Sequence, residues 1–279
     1  MDFSKYLIAS DLDGTLLVRD GAHVPQRNLD AIARFKAGGG RFTVATGRLH
    51  MTITGPIPEP EKLLSAPAML ANGAYFYDYT AQKHLCEVFL TTEEAATVLD
   101  FVKTYAGDIP CRVSTPYRMR TATPFGLVKK DMAAYRQDQF EILPHEAWRL
   151  DDWYKIVFRD EPEKLAKLRA QAEACLGGKI GIFATGPTLI EMQPLHSTKG
   201  LALPKLRGLM GADDLILIAC GDFENDLEML RAADIAIAPA NAIESVKAAA
   251  DYVLCDCEDG LIADVIEGIE AGRIVVKRA

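Results

Sequence analysis

Apolar and β-branched residues in this chain gather in short runs, several of which stop at a glycine or at a knot of acids and hydroxyls. Tyr6-Leu7-Ile8-Ala9, Arg41-Phe42-Thr43-Val44-Ala45, Leu215-Ile216-Leu217-Ile218-Ala219-Cys220, Ile235-Ala236-Ile237 and Tyr252-Val253-Leu254 are such runs. Continuous rather than alternating hydrophobicity marks strands covered on both faces, as in parallel sheets. Between the first two runs Leu29, Ile32 and Ala33 recur at helical spacing, with Pro25 at the first helical position and Gly38-Gly39-Gly40 as the stop. Helical stretches return around Leu227 and Leu230, from Ala242 to Ala249, and after Leu254. Strand and helix thus alternate up to about Asp78 and again from Leu189 onward, which predicts an α/β fold built on a doubly wound parallel sheet.

The stretch between reads differently. Thr91 and Glu94 form a capping box ahead of a helix whose Ala95, Val98, Leu99 and Val102 share one face. Pro162 opens a second helix with Leu165, Leu168, Ala172 and Cys175 inward, and Gly177 closes it. Cys111-Arg112-Val113, Tyr154-Lys155-Ile156-Val157-Phe158 and Ile180-Gly181-Ile182-Phe183 are β-rich. Two helices on one sheet predict a smaller α/β domain inserted into a loop of the first. The expected limits are core 1–82, insertion 83–188 and core 189–279, with hinges at Thr80 to Lys83 and Gly186 to Leu189.

Chemistry gathers where the core runs end. Ser10-Asp11-Leu12-Asp13-Gly14-Thr15-Leu16 places two carboxylates at i and i+2, which point the same way in extended chain and can share one phosphate and one cation. Ligands of open α/β sheets collect just beyond the carboxyl ends of the strands, and Gly14 lets the chain turn there. Thr46-Gly47-Arg48 ends the second run. A right-handed βαβ crossover brings it to the same edge, where Thr46 and the Gly47 N–H can hydrogen-bond a phosphate.

His196-Ser197-Thr198-Lys199-Gly200 starts a further helix with Ser197 or Thr198 as N-cap. A lysine in a first helical turn opposes the helix dipole, so an anionic ligand explains Lys199 better than helix stability does. Gly221-Asp222-Phe223-Glu224-Asn225-Asp226 follows the most apolar run. Hard cations such as Mg²⁺ take one or two carboxylates together with waters and phosphate oxygens, a set that Asp11 and this cluster supply.

In order along the chain, DLDGTL, ATGR, STKG and GDFENDLEML resemble the four motifs of the haloacid dehalogenase superfamily phosphatases, and of their Cof-type branch in particular. That branch inserts a large α/β cap between the second and third motifs, and here about 150 residues separate Arg48 from Lys199. Leu70-Ala71-Asn72-Gly73-Ala74, Ile190-Glu191-Met192 and Asp259-Gly260 extend the resemblance over essentially the full core. It departs most over Met51 to Ala66, where Gly55, Pro56, Pro58 and Pro60 interrupt a helix. The resemblance implies Asp11 as the nucleophile toward a phosphate monoester, giving an aspartyl-phosphate. It implies Asp13 as the acid that protonates the leaving alcohol and then activates water. It further implies Mg²⁺ held by Asp11, the Asp13 backbone carbonyl and Asp222, with Asp226 a direct ligand or a support behind them. Thr46, the Gly47 N–H, Lys199 and Asn225 would hold the phosphate.

Composition narrows the partners. With 279 residues at 49% hydrophobic content the chain can bury a large core, and a formal charge of -8 lacks the basic field of a nucleic-acid binder. No basic segment followed by an apolar run opens the chain, and no segment approaches a membrane span. Six scattered cysteines, Cys220 among them in an apolar strand, fit a reduced, cytoplasmic setting. Cys255-Asp256-Cys257 lacks the second pair that a zinc site needs. Arg112, Arg118, Arg120, Lys129 and Lys130 in the insertion are candidate contacts to the rest of a substrate, as is His196, while Trp148 and Trp153 either stack on a ring or pack in a core. The expectation is a Mg²⁺-dependent phosphatase of a small phosphorylated metabolite, sugar phosphates leading, with no nucleic-acid or membrane partner and with monomer and homodimer both open. A phosphomutase on the same core is the alternative, and a non-catalytic phosphate-binding module the next. A receiver domain is far shorter and has no such insertion, and a dinucleotide dehydrogenase would need a strand running into GxGxxG.

Overall fold

The computed structural model describes residues 1–122 and 136–277, so Lys129 and Lys130 lie outside the described residues. The strands are β1 (Tyr6–Ser10), β2 (Arg41–Val44), β3 (Ala68–Leu70), β4 (Tyr75–Asp78), β5 (Lys83–Leu85), β6 (Cys111–Ser114), β7 (Met119–Thr121), β8 (Phe140–Ile142), β9 (Lys155–Arg159), β10 (Ile180–Gly186), β11 (Leu189–Pro194), β12 (Ile216–Cys220), β13 (Ile235–Pro239) and β14 (Tyr252–Leu254). The helices that carry the description are α1 (Gln26–Ala37), α2 (Thr92–Phe101), α3 (Pro162–Leu176), α4 (Lys199–Ala202), α5 (Lys205–Met210), α6 (Leu227–Ala232), α7 (Glu244–Ala249) and α8 (Leu261–Glu270). Two compact units result: Met1–Cys86 with Thr198–Ala279, and Glu87–Ser197.

In the first unit the sheet order is β14-β13-β12-β1-β2, and every pairing is parallel. Its strands are largely apolar because both faces are covered, with Ser10 and Thr43 as buried hydroxyls. Leu7, Ala9, Leu217 and Ala219 pack with Leu206, Met229, Leu230 and Val246. The interleaved Ile8, Ile218 and Ile237 are equally sealed, and α1 packs against α8. Ser10 pairs with Cys220 on one side and with Val44 on the other, so β1, β2 and β12 end level and release residues 11, 45 and 221 at one edge. A bridge from Ala45 to Met69 joins this edge to the antiparallel β3-β4-β5 sheet.

Pro25, with ψ at 137°, stands just before α1 instead of inside its first turn. Over 51–66 the glycine and prolines leave only two single helical turns, His50–Ile53 and Pro60–Leu63. Among the described residues no helix is long and apolar enough to cross a membrane.

The second unit is a sheet in the order β10-β11-β9-β6-β7-β8. Ala95, Val98, Leu165, Leu168 and Ala172 of α2 and α3 form one core with Val113, Ile156, Phe158, Ile190 and Met192 of the sheet. The capping box is in place, with Thr91 Oγ1 accepting from Glu94 N–H and Glu94 Oε2 accepting from Thr91 N–H. The unit's limits differ from the expected 83–188. β11 belongs to it, because an antiparallel hairpin with β10 and pairing with β9 let Ile190 and Met192 enter its core. β5 instead pairs with β4 and stays in the first unit.

Several polar candidates of this unit serve its own packing. Arg120 is buried and gives its Nη atoms to the Asp152 carboxylate at 3.0 Å and its Nε to Glu141 at 3.1 Å. Burial opposes its charge, but these carboxylates outweigh burial and keep its pKa above the ordinary arginine value. Trp148 and Trp153 are buried in the core edge to face, with ring centroids 5.7 Å apart. Arg118 and His196 are exposed, and Arg112 is half-buried with Nη1 3.4 Å from Ser114 Oγ.

Lys155 and Glu191, both buried, pair across β9 and β11 at 2.6 Å. Removing one partner of such a pair strands the other charge. A Lys155→Met variant is therefore expected to lose about 3–5 kcal/mol in denaturant unfolding, and pairing it with Glu191→Leu should restore most of the loss. Equal losses in the single and double variants would show that the ion pair is not the source.

Candidate active site

Asp11 continues the β1 ladder by one step, its N–H donating to Cys220 O at 2.8 Å, and the chain then turns through Gly14 at φ +79°. A Cβ on Gly14 would stand 2.7 Å from Asp222 Oδ2, so the turn passes Asp222 only because the side chain is missing. Thr15 Oγ1 donates to Asp222 Oδ1 at 2.7 Å. Asn241 braces the turn from outside, its Nδ2 donating to Gly14 O at 2.8 Å and its Oδ1 accepting from Cys257 N–H at 3.0 Å. Beyond β12 the chain folds back on itself: Asp226 Oδ2 accepts from the N–H groups of Asp222 at 3.0 Å and Phe223 at 3.1 Å. A Cβ on Gly221 would lie 2.4 Å from the Asp226 Cβ, which leaves glycine as the residue that fits.

Thr198, not Ser197, caps α4, its Oγ1 accepting from Leu201 N–H at 3.2 Å. The next residue, Lys199, is fully buried and reaches Asp11 Oδ1 at 2.5 Å and Asp226 Oδ1 at 2.6 Å. Carboxylate oxygens of Asp11, Asp222 and Asp226 all lie within 4.8 Å of one another. Glu224 and the Asp13 carboxylate are not in that group.

Thr46 is buried at the end of β2, and its Oγ1 accepts from Arg48 N–H at 3.1 Å. Arg48 clamps Asp13 with two bonds, Nε to Oδ2 at 2.8 Å and Nη2 to Oδ1 at 2.5 Å, and its Nη1 reaches Thr52 O at 3.3 Å. Asn225 Nδ2 donates to Asn72 Oδ1 at 3.1 Å, and Asn72 N–H donates to Thr46 O at 3.0 Å. Asn72 is held in the left-handed region at φ +57°, and the neighbouring Gly73 sits so close to Thr198 that a Cβ would lie 2.5 Å from its carbonyl. The edge thus brings together Asp11, Thr46, Lys199, Asp222, Asn225 and Asp226. Thr15, Asn72 and Asn241 are partners that spacing alone does not single out, although the first two lie inside motif segments.

Residues 8–266 match the family model of haloacid dehalogenase-like hydrolases. The chain belongs to this family. It is 26% identical to 5-amino-6-(5-phospho-D-ribitylamino)uracil phosphatase YwtE of Bacillus subtilis, over 95% of this chain and 98% of the relative. It is 27% identical to pyridoxal phosphate phosphatase YbhA of Escherichia coli, over 93% of this chain and 97% of that protein. A crystal structure of a haloacid dehalogenase-like hydrolase from Bacteroides thetaiotaomicron, 25% identical, matches with a TM-score of 0.78 over 95% of this chain and 99% of that chain. The protein is an enzyme, a phosphatase of the haloacid dehalogenase superfamily.

The electrostatics of this candidate site in the phosphatase are unbalanced. Three carboxylates, Asp11, Asp222 and Asp226, surround the single ammonium of Lys199. Burial lifts the Asp11 carboxyl well above the usual range against the pull of Lys199, and Asp226 and Asp222 push the same way. Burial and then Asp226 raise Asp222 to about 7. For Lys199 burial works toward loss of the proton, but Asp11 and Asp226 outweigh it and keep the ammonium charged. Asp11 Oδ2 and Asp222 Oδ2 accept no hydrogen bond among the described residues. Oxygen ligands with excess negative charge and free lone pairs fit a hard divalent cation.

The same imbalance sets a pH dependence for the cation-free enzyme. Asp222 takes up its proton near 3.8 when unfolded and near 7 when folded, so between those values the folded state binds more protons. Stability is present at the acidic end of that window and is lost as pH rises through about 7. Thermal denaturation in chelator is expected to give a Tm that falls from pH 5 to pH 8, and a rising Tm would show that the folded site ionises Asp222 without cost.

Proposed function

We propose that this phosphatase hydrolyses a phosphate monoester of a small metabolite through an aspartyl-phosphate on Asp11, with Mg²⁺ as cofactor. The observation that carries the reading is the state of Asp11 at the end of a central strand: Lys199 holds Oδ1 at 2.5 Å, while among the described residues Oδ2 accepts no hydrogen bond. Attack by Oδ2 forms the acyl phosphate as the bond from phosphorus to the leaving oxygen breaks. Negative charge then sits on the equatorial oxygens, and Lys199, the Thr46 hydroxyl, the Gly47 N–H and Asn225 are the donors assigned to them. The Thr46 oxygen accepts from Arg48 N–H, which leaves its own proton free to donate.

Asp13 is assigned the proton transfers, first to the leaving alcohol and then from the water that cleaves the acyl phosphate. Both of its oxygens accept from Arg48, so this pair opens during the cycle. Asp11, the Asp13 carbonyl and Asp222 would hold Mg²⁺, which when bound offsets repulsion between the carboxylates and the phosphate. Asp226 has both oxygens committed, to Lys199 and to the 222–223 backbone, and so acts by orienting Lys199.

The names of the two relatives support a small phosphorylated metabolite as substrate, and the phosphoribityl chain in one of them favours sugar phosphates. The Glu87–Ser197 unit, inserted between the second and third motifs, is read as the cap that sets specificity. Six cysteines present as thiols fit a cytoplasmic enzyme.

Phosphate release from sugar phosphates, nucleotides, pyridoxal phosphate and an aryl phosphate, with Mg²⁺ or chelator, tests the reading. Release is expected only with Mg²⁺, and Asp11→Asn should lower kcat by about 10³-fold or more while keeping the fold. Wild-type turnover in that variant would remove Asp11 as nucleophile, and transfer of phosphate to a second sugar without release would mark a mutase. Asp13→Asn is expected to release one equivalent of nitrophenol from p-nitrophenyl phosphate in a burst and then stall, because a good leaving group needs no proton whereas the acyl phosphate still needs a base. Sustained turnover at the wild-type rate would remove Asp13 from both steps.

A further inference from the structure

Residues 55–63 border a second concavity in the core unit. Between α1 and residues 55–63 lies a cavity of about 700 Å³, lined by Val24, Leu29, Ile32, Pro56, Ile57 and Leu63. Sites that enclose whole small molecules span roughly 300–1,000 Å³. A regular helix over this stretch would lay its side chains against α1, and the glycine and prolines prevent one from forming. The wall is nonetheless tied down. Ile57 N–H donates to Ile53 O at 3.0 Å, Leu64 N–H donates to Pro60 O at 2.8 Å, and Lys36 Nζ donates to the carbonyls of Lys62 at 2.5 Å and Leu63 at 3.0 Å.

Lys36 also gives the cavity a charge. Among the described residues no carboxylate lies within ion-pair reach of its ammonium, and the neighbouring Lys62 is engaged with Glu59 at 2.5 Å. An ammonium has three protons to donate, and two are spent on carbonyls. Partial burial of this uncompensated charge disfavours it, as the lowered pKa of Lys36 reflects. An anion entering beside the apolar wall would supply the missing counter-charge and accept the third hydrogen bond. None of these residues belongs to the set around Asp11.

We propose that this cavity is a second binding site, for a small molecule with an apolar body and one anionic group that pairs with Lys36. A lysine acts as a compact point charge without the fork geometry of arginine, so a carboxylate and a sulfonate-like oxyanion are both accepted.

Isothermal titration of the whole protein with 2-naphthoate, naphthalene-2-sulfonate and the uncharged 2-naphthamide tests this. The two anions are expected to bind at one site per chain and more tightly than the amide. Lys36→Met should weaken the anions by about tenfold, to the level of the amide, because a charge-assisted hydrogen bond is lost. Ala33→Trp, which places an indole from the α1 wall into the cavity, should abolish binding of all three. Phosphate release should be unchanged in both variants, which separates this site from the one at Asp11. No binding at millimolar concentrations, or naphthoate binding that survives both substitutions, would overturn the proposal. A clear preference between the two anions would identify the head group.

Discussion

The core site depends on one buried ammonium. Lys199 sits between Asp11 and Asp226 at hydrogen-bonding distance from both, and its own exposure is zero. Two carboxylates so close in a dry setting repel strongly, since the penalty for an unpaired buried charge is several kcal/mol. With Lys199 present, Asp11 has one oxygen anchored and the other open, and Asp226 is fixed well enough to collect the N–H groups of residues 222 and 223. The orientation of the two strand ends therefore passes through a residue that arrives from neither strand.

Steric constraint completes what charge begins. Gly14, Gly73 and Gly221 each stand where a Cβ would meet a neighbour at 2.7, 2.5 and 2.4 Å respectively. The first lets the Asp11 turn slide past Asp222, the second seats the Asn72 loop on the turn before Lys199, and the third lets Asp226 fold beneath Asp222. Loss of any of these close approaches would push a carboxylate or a donor out of place by more than a hydrogen bond tolerates. Asn241 and Thr15 then hold the first turn by side-chain bonds, so its shape rests on packing and on polar contacts together.

The inserted unit spends its conspicuous residues differently. Arg120, Lys155, Trp148 and Trp153 are engaged with partners inside the unit and are buried there, which makes them elements of its stability. The prolines of 55–63 have an opposite effect in the core. They break regular helix there, beside an open apolar concavity with a cation at its wall.

Whatever depends on spacing along the chain is legible in the sequence. Apolar runs predicted the parallel strands, glycines and prolines predicted the stops, and the acids after β1 and β12 were expected at one sheet edge, where Asp11, Asp222 and Asp226 do meet. Apart from Pro25, which stands one position ahead of α1, most of the departures involve partners distant in the chain. β11 joined the inserted unit because antiparallel pairing with β9 and β10 buries Ile190 and Met192, and residues 189–194 by themselves do not say which sheet receives them. The clamp of Arg48 on Asp13, the bond from Asn225 to Asn72 and the brace from Asn241 to Gly14 join segments whose approach depends on how sheets and loops pack. A sequence can name the groups with the right chemistry. Which of them meet, and which are consumed in holding the others, follows from close packing in three dimensions, where a few tenths of an ångström decide whether a hydrogen bond forms.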